Sequence, residues 1–124
     1  MSNSMNKVFL LGNLGADPEL KDFDGNAKLR FRLATSATWR DKTTGELKEK
    51  TEWHTLNMWG KRAEALAGIL TKGSRVMVEG RLETRSYEAD GITKYVTEVK
   101  VDDLFLAGRA SKSRADAEYE TIAA

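Results

Sequence analysis

The chain has 124 residues and a mass of 13.8 kDa, enough for one domain that closes a core without disulfide or metal staples. It has no cysteine and a single histidine, which excludes disulfide scaffolds, thiolate zinc centres and cysteine nucleophiles and argues against a histidine metal centre or a Ser-His-Asp triad. Twenty Lys and Arg against nineteen Asp and Glu leave a net charge of +1, so bulk charge does not mark a nucleic-acid binder; only the placement of charges and rings can.

Lys7–Leu14 is a short apolar strand that runs into Gly15-Ala16-Asp17-Pro18, where the only proline marks an exit. No fully apolar run is longer than its Val8–Leu11, far below the ~20 residues that span a bilayer. The first six residues lack the apolar centre of a signal peptide. Asp24-Gly25-Asn26 is a turn signal. Lys28–Ala37 alternates, with Leu29, Phe31 and Leu33 on one side and Lys28, Arg30 and Arg32 on the other. Arg40–Lys50 is hydrophilic, and Thr43-Thr44-Gly45 reads as the tip of a long hairpin. A third strand covers Thr51–Trp59. Lys61–Thr71 has Leu66, Ile69 and Leu70 at helical spacing among alanines, with Gly73 as a stop. Strands at Arg75–Tyr87 and Thr93–Val101 follow, joined by Ala89-Asp90-Gly91.

Three strands, a helix and two strands is the plan of an all-β fold with one short helix, a five-stranded Greek-key OB-fold barrel plugged at one end. Residues 1–108 form this domain. Arg109–Ala124 is small, polar and charged, without apolar periodicity, and predicts a short disordered tail.

Along Thr51–Trp59 successive side chains alternate faces. His54, Leu56 and Met58 take the core side, which puts Trp53 and Trp59 about 20 Å apart on a face shared only with Thr55 and Asn57. A bare indole is costly unless something covers it. In the fourth strand Val76, Val78 and Leu82 form the core side, and Arg81, Arg85 and Tyr87 the other, with Glu79 and Glu83 between. The arginines read either as phosphate contacts or as a cross-strand ladder with those glutamates. Arg40, Lys42, Lys48 and Lys50 flank Trp39, whose parity matches Phe31 and Leu33: either a bulge intervenes or the strand outruns the barrel. Flat rings interleaved with cations suit unpaired bases, whose free faces stack on Trp and Tyr while Lys and Arg follow the phosphates. No base-reading helix is apparent, so little sequence preference is expected. Asp102-Asp103 reads as a strand end rather than a cation site. No cofactor, metal site or catalytic cluster is read, and the chain is expected not to be an enzyme.

Asn6–Leu20 (NKVFLLGNLGADPEL), Leu33–His54 (LATSATWRDKTTGELKEKTEWH), Met58–Leu66 (MWGKRAEAL) and Leu70–Tyr87 (LTKGSRVMVEGRLETRSY) resemble, in order and spacing, the bacterial and mitochondrial single-stranded-DNA-binding proteins. The resemblance spans residues 5 to about 108. It implies an OB fold, assembly as a homotetramer, and binding of single-stranded DNA in replication, recombination and repair in the cytoplasm, associated with the nucleoid. Its stacking rings fall on Trp39, Trp53, Trp59 and Tyr87, with Arg40, Lys48, Lys50, Lys61, Arg81 and Arg85 as phosphate contacts. The subunit interface falls on His54, Lys7 and Phe9. Trp59 stands where the commonest pattern has Phe, and Tyr87 where it has Trp; both keep a flat ring. The chain ends Glu118-Tyr119-Glu120-Thr121-Ile122-Ala123-Ala124, without the acidic, Phe-tipped peptide by which most bacterial members recruit replication and repair proteins. It reads as a shortened form or a tail-less plasmid, phage or specialised paralogue.

Overall fold

The alternating runs become strands because each has one face to bury. In the structure, a computed structural model that describes residues 3–109, the strands are β1 (Val8–Leu14), β2 (Glu19–Phe23), β3 (Asn26–Arg40), β4 (Leu47–Trp59), β5 (Ser74–Ala89) and β6 (Ile92–Arg109), with one helix, α1 (Lys61–Ala67), between β4 and β5; of these only β2 has no side to bury. The sheet order is β1-β5-β6-β4-β3-β2, and β1 also pairs with β3. That pairing closes five strands into a ring, the expected five-stranded OB barrel, and leaves β2 outside it on β3. All pairs are antiparallel except β4 with β6.

Closure depends on Gly12. Gly12 still opposes Val76 of β5, Asn13 then pairs with both Arg75 of β5 and Ala34 of β3, and Leu14 pairs with Leu33 of β3. A Cβ on Gly12 would collide with the Ala34 carbonyl oxygen. Leu14, Leu29, Phe31, Leu33, Leu56, Met58, Val76, Val78, Val99, Val101 and Leu104 fill the barrel, and Ala63, Leu66 and Leu70 cap one end. β6 keeps Val99, Val101 and Leu104 inside despite their unequal spacing because Asp102 is an extra residue in a bulge: Glu79 faces Asp103 while Gly80 faces Val101.

Four expectations need correction. β2 was absent from the sequence reading; its five residues ELKDF are all exposed, so no apolar alternation marks it. The helix ends at Ala67 rather than Thr71. Gly68 caps it, and a turn on the Leu66 carbonyl swings Leu70 inward while Ile69 points out. Leu82 is exposed although it opposes the buried Val99, at the point where β5 and β6 begin to run on past the core to Ala89 and Ile92. Asp102 and Asp103 do not end a strand: they lie inside β6, where Asp102 meets Arg81 at 3.3 Å and Asp103 pairs with Arg62. The β3–β4 register runs unbroken from Lys28 opposite Trp59 to Arg40 opposite Leu47. No bulge intervenes there, so β3 simply outruns the barrel. Apart from the backbone of Arg109, the expected tail lies outside the described residues.

Candidate nucleic-acid interface

Pairing register fixes which side chains share the outer face. Directly opposed residues point the same way, so Trp59 joins Lys28, Asn57 joins Arg30, Thr55 joins Arg32 and Trp53 joins Ala34. On β5 and β6, Tyr87 opposes Lys94 and Arg81 opposes Lys100. Trp53, Trp59 and Tyr87 are each between two fifths and one half exposed, well above what a core ring shows. Each has a cation beside it. Arg32 lies 5.3 Å from the Trp53 ring centre, Lys28 5.4 Å from that of Trp59, and Arg85 5.9 Å from that of Tyr87.

Trp53 is seated by Gly15, where a Cβ would collide with its six-membered ring. The ring borders a shallow groove of about 400 Å³ lined by Asn13, Leu14, Gly15, Ala34, Lys72 and Gly73. Lys72 and Arg32 were not among the expected site residues. Lys28 and Arg30 were seen only as the polar side of a strand. Their register opposite Trp59 and Asn57, which the sequence does not print, is what brings them in.

At the centre of this face is Glu98 of β6, a residue the sequence reading did not single out. It is 4% exposed. Its carboxylate accepts hydrogen bonds from Asn57 Nδ2 at 3.0 Å and Arg85 Nε at 3.0 Å, and it pairs with Arg30 at 3.1 Å. Asn57 is buried with it, and its Oδ1 accepts no hydrogen bond among the described residues. Burial pushes the Glu98 carboxyl up, but the bonds from Arg85 and Asn57 and the charges of Arg30 and Arg85 outweigh it and hold the group below its ordinary value. The same bond raises Arg85. Arg81 and Arg85 therefore pair with Asp102 and Glu98 on β6, while Glu79 takes Lys7 at 3.0 Å. The ladder exists, with other partners than Glu79 and Glu83.

The remaining expected residues are dispersed. Trp39 lies opposite Lys48 and shares its side of β3 with Phe31 and Leu33, so it stands on the reverse face of the β3–β4 arm from Trp53. A groove of about 250 Å³ there is lined by Thr35, Ser36, Ala37, Trp39, Lys50 and Glu52. Arg40 folds back to donate to the Gly45 carbonyl at 2.7 Å. Lys48 and Lys50 lie 4.0 Å from Asp41 and 3.3 Å from Glu52, exposed pairs of little energetic weight that leave both ammoniums available. Lys61 is exposed at the start of α1. Of the expected interface residues, His54 is half-buried with its Nε2 2.9 Å from Thr35 Oγ1, whereas Lys7, just before β1, and Phe9 on it are exposed.

Among the described residues no cluster of three or more metal-ligating side chains exists. What the face offers is three open rings, each flanked by a cation, on one curved wall. The model of the Single-strand binding protein family matches residues 5–106. The chain belongs to that family. Members of the single-strand binding protein family bind DNA and are not enzymes. Among solved structures, an SSB from Plasmodium falciparum in complex with ssDNA is similar at 36% identity and a TM-score of 0.75, over 86% of this chain and 97% of that one. A deletion mutant of the single-stranded DNA binding protein from Thermus aquaticus is similar at 34% identity and a TM-score of 0.72, over 86% of this chain. The match spans 54% of that chain, about half its length. Among the described residues no helix is long and apolar enough to cross a membrane.

Proposed function

We propose that this member of the single-strand binding protein family binds single-stranded DNA with little sequence preference, protecting and organising it in replication, recombination and repair. The observation that carries the reading is the pairing of each exposed ring on one face with its own cation: Trp53 with Arg32, Trp59 with Lys28, Tyr87 with Arg85. A base stacked on a ring leaves its phosphate within reach of the neighbouring charge, and every base has a face to stack. A duplex hides those faces and is refused. Trp39 receives the strand where it turns round the arm edge, with Lys48 and Lys50 beside it and Arg40 at the arm tip. Lys61, Arg81 and the half-exposed Arg85 extend the phosphate track.

The protein acts as a homo-oligomer, in our reading a tetramer, in the cytoplasm with the nucleoid. An exposed apolar strip of Phe9, Leu11, Met77 and Phe105 crosses β1, β5 and β6, and the edge of β1 turned away from β5 is unpaired from Val8 to Gly12 among the described residues. Both features support self-association. Lys7 lies beside this strip, and His54 contributes from the β3–β4 arm. Residues 1–108 form the binding domain and 109–124 a short C-terminal tail.

The test uses the protein's own indoles. Oligo-dT at low salt is expected to quench tryptophan emission, and affinity is expected to fall with salt at a log–log slope of about −0.7 per phosphate neutralised. Trp53→Ala should weaken binding by about 1–3 kcal/mol. Emission that oligo-dT leaves unchanged in the folded protein would overturn the proposal.

A further inference from the structure

The edge strand outside the barrel adds a fourth ring to the face that carries Trp53, Trp59 and Tyr87. Phe23 ends β2, opposite Asn26, and two positions back Lys21 opposes Lys28, which in turn opposes Trp59. Phe23, Lys28 and Trp59 therefore point the same way from three adjacent strands. The ring centres of Phe23 and Trp59 are 5.8 Å apart and the planes are tilted by 52°. That angle is neither a sandwich nor a T, and both rings remain nearly half exposed. Lys28 Nζ stands 5.8 Å from one centre and 5.4 Å from the other. A phenylalanine on an all-exposed edge strand gains little from packing; here it has one neighbour ring and an open face.

We propose that Phe23, Lys28 and Trp59 form one two-base station: consecutive unpaired bases stack on the two tilted rings, and the ammonium between them takes the phosphate that joins the two nucleotides. Phe23 is then a DNA-contacting residue and β2 part of the binding wall, so the track runs past Trp59 to the sheet edge. The station rests on the reading that the outer face binds single-stranded DNA. Its chemistry asks only for two stackable bases and one phosphate, so it carries no base preference of its own. A lone Trp59 holds one base; with Phe23 beside it the strand is gripped at two successive positions, which fixes its direction of exit across β2.

Titration of the assembled protein with oligo-dT at low salt, followed by tryptophan emission, tests this with Phe23→Leu, Phe23→Ala, Phe23→Trp and, as reference, Trp53→Ala. Leucine keeps apolar bulk against Trp59 but has no flat face. Phe23→Leu and Phe23→Ala are both expected to bind about five- to tenfold more weakly, and the added indole of Phe23→Trp to be quenched along with the native ones. Wild-type affinity in Phe23→Leu, or an added indole that DNA does not quench, overturns the station and leaves Phe23 as packing for Trp59. If Trp53→Ala also binds as wild type does, the failure lies with the underlying reading of the face, not with β2.

Discussion

Glu98 carries a charge that water hardly reaches, on a face that otherwise attracts anions. Its value lies in what it orders. One carboxylate holds two guanidiniums and an amide from three other strands, and Arg85 so held stays beside Tyr87. The two arginines bring two charges against one, so the cluster keeps a positive excess for phosphate. Its folded pKa is depressed from an ordinary 4.5, so its stabilisation is present above that value and is lost as pH falls through the folded one. Glu98→Gln should cost about 1–3 kcal/mol near neutral pH, toward the lower end because both arginines are partly exposed. Urea midpoints of the two proteins should converge as pH drops from about 5 toward 3. A gap that stays constant across that range would show that the carboxylate's charge contributes nothing. The hub was hidden from sequence for a simple reason. Glu98 is one of nineteen acids, and nothing in its neighbours reveals that Asn57, 41 positions earlier, lies beside it. Trp53 and Trp59 were legible because alternation inside one strand suffices to put them on the polar side.

At the scale of elements, what could be read was whatever had an apolar face. β1, the inner part of β3, β4 from Thr51 to Trp59 and the start of β5 follow two-residue alternation, and the sequence places all of them. β2 and the two long arms have no buried side, so their lengths fell short. The turn before β3 did carry the missing information. Asp24 and Gly25 have φ of 52° and 86°, and Asp90 and Gly91 repeat this at 53° and 75°, the two-positive pattern of a tight hairpin. An Asp-Gly pair of that kind implies a strand on each side, even where one side reads ELKDF. The bulge at Asp102 reverses parity within β6, and a strict alternation rule cannot see it. Closure of the barrel is an element-scale property with a single-residue check. Gly12→Ala sets a Cβ against the Ala34 carbonyl, a backbone atom that cannot rotate away, so it should destabilise by about 1–3 kcal/mol. Chemical denaturation measures it directly; a neutral Gly12→Ala would mean that β1 crosses to β3 with slack to spare.

For the whole molecule the central asymmetry is between its two exposed surfaces. One wall has rings separated by cations and stays wet until a flexible polyanion covers it. The other, on β1, β5 and β6, has Phe9, Leu11, Met77 and Phe105 exposed at 64%, 48%, 40% and 46%, with Leu11, Met77 and Phe105 directly in line across three strands. Such a row has nothing to offer a phosphate. Its chemistry fits a second copy of itself, and the open edge of β1 gives that copy backbone groups to pair with. Two kinds of contact, edge to edge and face to face, combine into a closed assembly of four when each is two-fold symmetric. Light scattering coupled to size exclusion should then return about four times the chain mass of 13.8 kDa. Phe9→Asp with Met77→Asp should break the face contact and leave dimers, while tryptophan quenching by short oligo-dT persists, because no ring of the outer wall is touched. A wild-type mass of one chain at micromolar concentration would sink the assembly and leave the wall to bind DNA as a monomer. Loss of quenching in the dimeric variant would mean instead that the strand needs rings from more than one protomer pair, which makes the interface part of the binding site rather than only its scaffold.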